Sequence, residues 1–407
     1  MFKKIISLLL CMLFFCSVLQ AGRTDLLIKK LMEKGVLTDG EAQQLLTLSK
    51  EGMRKELAMG KAKTAPKWTQ MIKLKGDLRL RFQREDETTY FRDRARMRFR
   101  LKGEAKVCKP IMIGFGLATG SDDARSTNQT MEDTFATKAI NLDYAYAKYA
   151  APKYITLLGG KIPNKSLIWK PADLLWDGDI SLEGAGLIIE KKVGKLNLYI
   201  NSGYLILNHI KTDGNAAMTV VQPGITTKIN GIGLKLAVSG YMFDKVKGNQ
   251  LPQTAESNTY IDTGNDGFDN DDVLKYNYNC VSTGLEISFA DLYFEKVALF
   301  AEGVQNPDPS EDNKGFLGGI KFGNKKIKKF GHWQIKAMYR ELQKDAWLDV
   351  FPDSDFGGGE TGLQGTEFVL KYGLTKNSTV GLDYYATTDM GKDKLKSLIQ
   401  FDIVTKF

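Results

Sequence analysis

Residues 94–101 read Arg94-Ala95-Arg96-Met97-Arg98-Phe99-Arg100-Leu101. In an extended strand, side chains alternate between two faces. All four arginines therefore share one face, and Ala95, Met97, Phe99 and Leu101 share the other. Residues 72–82 repeat the pattern, with Ile72, Leu74, Leu78, Leu80 and Phe82 opposite Lys73, Lys75, Asp77, Arg79 and Arg81. A soluble sandwich would have to bury one such face, and a dry interior cannot hold four consecutive arginines. One ordinary soluble strand could present such a face to water, so the reading turns on how far the pattern continues.

Working outward, the same period of two recurs to the C-terminus. Ile140, Leu142, Tyr144 and Tyr146 alternate with Asn141, Asp143, Ala145 and Ala147. Trp333, Ile335, Ala337 and Tyr339 alternate with His332, Gln334, Lys336, Met338 and Arg340. Ile399, Phe401 and Ile403 oppose Gln400 and Asp402. About sixteen segments of this kind are found, a number that would enclose a water-wide lumen. They begin near 71, 93, 111, 138, 154, 184, 195, 215, 229, 275, 296, 315, 332, 363, 378 and 396. The segment near 215 (NAAMTVVQ) is the faintest. Lipid offers backbone groups no hydrogen-bond partner, so a sheet within it must close on itself. The expected fold is all-β, a transmembrane antiparallel β-barrel of about 16 strands over 67–407.

Connections alternate in length. Short ones hold Cys108-Lys109-Pro110, Val193-Gly194 and Leu374 to Asn377. Long ones cover roughly 84–92, 120–137, 163–183, 245–274, 305–314 and 343–362. Outer-membrane barrels have short periplasmic turns and long external loops. An even strand count then leaves both termini in the periplasm. The chain ends on Phe407, with Ile403, Phe401 and Ile399 on the apolar face of the last strand.

The N-terminus carries an address. Lys3 and Lys4 precede a continuous apolar run from 5 to 19, too short to span a bilayer. Ala21-Gly22 is a small-residue cleavage point, so 1–21 reads as a secretory signal peptide. Leu8-Leu9-Leu10-Cys11 fits a lipoprotein box poorly, because Leu10 is bulky. Cleavage leaves Cys108 and Cys280, far apart, which is no disulfide scaffold. Residues 22–66 form a helical hairpin and linker. Leu27, Ile28, Leu31 and Met32 have helical spacing, Gly35 stops the first helix, and Thr38 with Glu41 makes a capping box for the second. The hairpin is either a bare solvent-exposed module or a periplasmic coiled-coil contact.

The whole chain has 407 residues, a net charge of +9 and 10% aromatics. A mean hydropathy of −0.26 excludes a bundle of membrane helices. With two histidines and four cysteines there is little material for a metal enzyme. His209 and His332 have no nucleophile-elbow motif beside them, and an enzyme is not expected. Export argues against nucleic acid as a partner.

Certain stretches are similar to the putative porin family of Gram-negative outer membranes. They are Ala118-Thr119-Gly120-Ser121-Asp122-Asp123-Ala124-Arg125-Ser126-Thr127-Asn128-Gln129-Thr130, Gly159-Gly160-Lys161-Ile162-Pro163-Asn164, Pro171-Ala172-Asp173-Leu174-Leu175-Trp176-Asp177-Gly178-Asp179, and Gly35-Val36-Leu37-Thr38. The resemblance implies a passive diffusion channel in lipid and lipopolysaccharide, inserted by the outer-membrane barrel machinery. It supplies no catalytic residues and no cofactor. General porins are trimers, but nothing in this sequence fixes an interface.

Three groups of residues bear on conduction. Arg79, Arg81, Arg94, Arg96, Arg98 and Arg100 should form an inward basic face, since a lipid-facing Arg near the midplane costs ~2–4 kcal/mol. They are either a ladder that biases the pore toward anions or a wall neutralised by carboxylates such as Asp77 and Glu104. The loop 163–183 is third in external order; by resemblance to general porins it folds into the barrel. It would carry Trp169, Asp173, Trp176, Asp177, Asp179 and Glu183 to a constriction; the alternative is a loop packed outside, with its Trp residues as interface anchors. The stretch 262–272 supplies Asp262, Asp266, Asp269, Asp271 and Asp272, oxygen ligands suited to Ca²⁺ but without EF-hand spacing. A solvated acidic loop fits them as well. The runner-up to a porin is an adhesion or structural barrel whose lumen is plugged by its own loops.

Overall fold

The computed structural model describes residues 28, 31–32, 34–58, 71–87, 90–210, 214–264, 272–392 and 394–407. The signal peptide lies outside these residues, as does most of the first helix of the hairpin. The chain divides into two compact units, 1–70 and 71–407.

In the first unit, helix α1 spans Asp39–Ala58. Its start is the expected capping box. Glu41 accepts from the Thr38 backbone N–H (2.9 Å) and hydroxyl (2.7 Å), and the Thr38 hydroxyl in turn receives the Glu41 N–H (3.4 Å). Before it, the Val36 N–H reaches the Leu31 carbonyl and the Gly35 N–H reaches that of Met32. Gly35 has φ +68°. This is a Schellman stop, and it needs a residue free to adopt the left-handed region.

The second unit is a closed antiparallel barrel of sixteen strands. They are β1 Ile72–Glu87, β2 Tyr90–Lys106, β3 Ile111–Thr119, β4 Ile140–Ala150, β5 Ile155–Pro163, β6 Ser181–Val193, β7 Leu196–Ile210 and β8 Gly214–Ile229. The second half holds β9 Ile232–Asp244, β10 Val281–Ala290, β11 Lys296–Gln305, β12 Lys314–Gly323, β13 Trp333–Leu342, β14 Leu363–Gly373, β15 Ser378–Asp389 and β16 Leu395–Lys406. Each strand pairs with its chain neighbour, and β1 pairs with β16 to close the ring. At that seam the Phe407 and Gly76 backbones exchange both hydrogen bonds, at 2.9 and 3.0 Å. The Phe407 ring stacks on Phe99 with centroids 6.1 Å apart. It lies where a Cβ on residue 76 would be, which is why Gly stands there.

Register fixes the two faces. Leu78, Leu80 and Phe82 are 40–51% exposed, whereas Asp77, Arg81 and Gln83 on the alternate face are buried. Exposed apolar residues continue around the barrel and form its outer band. Near the short turns this band ends in aromatics: Phe294, Phe322 and Trp333 form one cluster, Phe330 and Tyr372 a second.

The eight connections at the long-loop end are numbered L1 to L8 in chain order. L2 is 120–139, L3 is 164–180, L5 is 245–280 and L7 is 343–362. The first differs from expectation. Residues 84–87 and 90–92 extend β1 and β2 instead of forming a long loop, with Arg84 opposite Asp93 and joined to it by a 2.6 Å ion pair. The β1 tip, Arg84-Glu85-Asp86-Glu87, is polar on both faces, so no apolar alternation betrays it. The faint segment near 215 is a full strand. Ala216, Met218 and Val220 of β8 point inward and are wholly buried. Both faces of this stretch are apolar, which erases the alternating signal.

Candidate functional site

The inner wall is not polar all round. On β7 to β13, toward the long-loop end, the inward residues Leu205, Met218, Val220, Tyr241, Phe243, Phe300, Val304, Leu317, Met338 and Leu342 are apolar. They meet apolar residues of L3 and L7, namely Leu167, Ile168, Leu174, Leu175, Trp176, Trp347, Leu348 and Phe351. A hydrophobic core thus sits inside the barrel. Burial of Trp, Phe and Leu side chains at ~1.5–3 kcal/mol each is what draws the loops inward. Trp176 packs on Phe351 (4.7 Å between centroids), Trp347 (5.7 Å) and Tyr241 (6.2 Å).

L3 folds against the inner wall. Its base closes where the Asn164 amide donates to the Asp177 carbonyl (2.6 Å). Farther on, the Trp169 backbone N–H and C=O are both bound by the Gln222 side chain, each at 2.8 Å. Arg340 of β13 reaches the Asp173 carbonyl (3.4 Å). Asp179 then reaches the arginine wall through Arg100 (3.3 Å), whereas Asp177 is held by Ser354 and Asp173 pairs with Lys170 of its own loop (2.5 Å). Trp169 lies against the wall instead, its ring beneath the Lys235 ammonium at 5.9 Å. Trp176 is an anchor in the core. Glu183 stands apart: it lies on β6, exposed, and pairs with Lys161 at 2.6 Å.

The arginines point inward together and are largely paired. Arg81 donates twice to Asp402 (2.7 and 2.9 Å) and once to Asp355 (3.1 Å). Arg79 reaches Asp402 (3.5 Å) and Asn128 (2.5 Å). Asp77 takes Arg98 (2.9 Å) and Arg100 (3.0 Å), and Arg100 also reaches Asp179 (3.3 Å). Arg94 is bound to Glu85. Arg96 makes only a 3.4 Å contact with Gln83. Asp77 thus serves as a neutralising partner; Glu104 instead stands opposite Lys73 in the strand register.

Two groups of site residues were not foreseen. L7 supplies Asp353 and Asp355, and Ser354 between them donates to Asp177 from its N–H (3.0 Å) and hydroxyl (3.2 Å). The signal was present: Asp353-Ser354-Asp355 has the same one-residue spacing as Asp177-Gly178-Asp179. L2 supplies Thr127, which donates to Asp179 (3.0 Å), and Asn128, which holds Arg79. Residues 129–130 pair with Arg96 and Met97 of β2, folding L2 against the wall. Arg125 reaches the Asp349 carbonyl (3.0 Å) and so ties L2 to L7.

The passage left between wall and loops encloses about 200 Å³. Its lining holds six basic groups (Arg79, Arg81, Arg98, Arg125, Lys336, Lys371) and seven acidic ones (Asp173, Asp177, Asp179, Asp353, Asp355, Glu367, Asp383). This is an eyelet with near-balanced charge and a field across it. Burial and the adjacent Asp179 carboxylate push the Asp177 carboxyl up to about 7. Burial, with Asp177 and Asp355 close by, raises Asp353 well above the usual carboxylate range.

Comparison with known families agrees with this geometry. A family model described as "Putative porin" matches residues 85–272 and 258–407. The chain belongs to the putative porin family. Its closed barrel with an apolar outer band is that of a bacterial outer-membrane protein of porin type. Among solved structures, a triple mutant of Rhodopseudomonas blastica porin is 11% identical with a TM-score of 0.45. Two other mutants of that porin give 11% and 12% identity with a TM-score of 0.46. Each alignment covers 83% of this chain and 100% of the other. No curated protein matches the chain.

Three sequence features lie elsewhere. Asp266, Asp269 and Asp271 fall outside the described residues; Asp262 and Asp272 flank them, and no metal-binding group occurs among the described residues. His209 is at the long-loop end beside Asn215, and His332 is in the turn after β12, so they share no site. Cys108 is exposed and Cys280 buried, both as free thiols.

Proposed function

We propose that the protein is a passive diffusion channel of the bacterial outer membrane for small hydrophilic solutes. The observation that carries this reading is the eyelet, where acids of L3 and L7 meet the arginine wall, Asp179 at Arg100 (3.3 Å) and Asp355 at Arg81 (3.1 Å), beside a cavity of about 200 Å³. Opposed charges orient the water between them. A polar solute can replace that water's hydrogen bonds; an apolar one cannot, and is held back. Since most wall arginines are paired, ion preference is weak, with an anion bias set by whichever cations remain unpaired. The termini face the periplasm, 1–21 is removed as a signal peptide, and Phe407 is read by the barrel-insertion machinery. No resident metal or cofactor takes part in the reading.

The test is single-channel conductance of the purified protein in a planar bilayer, with reversal potential under a KCl gradient. Stable steps with a small anion preference are expected. Silence from a correctly folded, heat-modifiable barrel would refute the channel and favour a structural or adhesive barrel closed by its loops.

A further inference from the structure

The unequal pairing of the six wall arginines points to a binding site. Arg79, Arg81, Arg94, Arg98 and Arg100 each have a carboxylate within salt-bridge distance. Arg96, among the described residues, has none within 4.0 Å. Its Nη1 has the single long contact with Gln83, and its Nε is buried with no partner. A guanidinium offers five donors in a rigid fork. Leaving a buried donor of a charged group unmatched is costly, so such a fork favours an incoming acceptor.

The surroundings allow one to arrive. Arg96 lines a cavity of about 400 Å³ directly above the eyelet, which shares Ser354, Asp355 and Tyr385 with the passage below. The hydroxyl-bearing Ser126, Ser354 and Thr387 also border it. Of the five carboxylates that line the cavity, four are paired elsewhere, Asp123 with Arg125 and Glu360 with Lys396. Asp355 is held by Arg81 and by the Gln400 amide (2.8 Å), and Glu85 by Arg94 and the Gln83 amide (2.6 Å). Neither can turn to Arg96 without breaking those bonds.

We propose that Arg96 is the docking group of an oxyanion subsite at the upper mouth of the eyelet. Its Nε–Nη edge takes a carboxylate or phosphate oxygen pair of a small solute, and neighbouring hydroxyls donate to the remaining oxygens. The subsite rests on the channel reading and deepens it: the preferred solutes are small organic or phosphate anions. Fork geometry matters here as well as charge, because a planar guanidinium binds a pair of oxygens that chloride lacks.

The test is a block experiment on single channels in KCl, titrated with sodium acetate and, separately, with inorganic phosphate. In the unmodified protein each oxyanion should reduce chloride current at concentrations where added chloride does not. Whichever blocks at lower concentration identifies the preferred head group. Arg96→Lys keeps the charge but removes the fork, and should raise the half-blocking concentration about tenfold while chloride conductance stays close to the original. Lys109→Gln, exposed in the short turn after β2 and outside this cavity, should leave the block unaltered. Block that is equal in Arg96→Lys and the parent overturns the subsite, as does a parent in which neither oxyanion blocks more than chloride. That second arm needs no variant to fold. Absence of any conductance steps would instead overturn the channel reading itself.

Discussion

Replacing Trp347 by Ala should open the pore without dismantling the barrel. Trp347 lies on L7, is wholly buried, and touches Tyr241 (4.7 Å between centroids), Phe243 (5.6 Å), Trp176 (5.7 Å) and Phe351 (5.9 Å). Its indole N–H donates to the Leu175 carbonyl of L3 at 2.7 Å. It therefore joins L7, L3 and the wall at one point. Truncating a buried Trp to Ala costs ~3–5 kcal/mol, which shifts the balance between docked and released loops by about 10²–10⁴. The barrel ladder makes no use of this side chain, so heat-modifiable mobility on gels should be retained. Single-channel steps should become larger and noisier than in the parent. Trp347→Phe is the graded control; it keeps a ring and loses the hydrogen bond, at a cost of ~1–3 kcal/mol. Steps of unchanged size and noise in Trp347→Ala would show that the aromatic core does not hold the loops in the lumen.

Asp77→Asn deprives Arg98 and Arg100 of their shared carboxylate; reversal potentials should move toward anions, and stability should fall by at most ~3–5 kcal/mol. An unmoved reversal potential would mean that this pair lies off the ion path. Because Asp177 titrates near pH 7, it is charged above that pH and neutral below it. Anion preference should accordingly rise as pH falls from about 8 to 6, a trend that Asp177→Asn should abolish. Gly76→Ala sets a Cβ 2.8 Å from the Arg100 carbonyl and inside the Phe407 ring. Overpacking of about 1–3 kcal/mol at the seam should lower the folded fraction recovered on refolding into detergent, and parental yields would contradict the tight seam.

The barrel was legible because lipid imposes a rule that a sequence must obey locally. Wherever one face meets lipid and the other meets water, as in Arg94 to Leu101, alternation is unavoidable. It faded in two places for opposite reasons. At 84–87 the strand is polar on both faces; at 216–220 both faces are apolar, because the inner one packs on loops. The site was legible in part. The arginine face and the acids of L3 could be read from spacing and loop order. Asp353 and Asp355 left only a spacing like that of Asp177 and Asp179, and Thr127 and Asn128 left no signal, because their roles depend on loops meeting across the lumen and no local period records that. Glu183 differs from Asp177 and Asp179 only by standing past the point where the strand begins.

The joining of L3 to L7 has a consequence for how the protein is made. Asp177 and Ser354 are 177 positions apart, and the aromatic core around Trp176 needs Trp347 and Phe351 as well. Contacts so distant in sequence form late. The loop-lined eyelet is consequently among the last parts to assemble, after nearly seven-eighths of the chain is available. A barrel that closed its seam before docking these loops would be a wide, indiscriminate hole in the membrane. Biogenesis therefore has to couple seam closure, which awaits Phe407, to loop docking, which awaits L7, and the short tract of chain between them keeps those two events close in time.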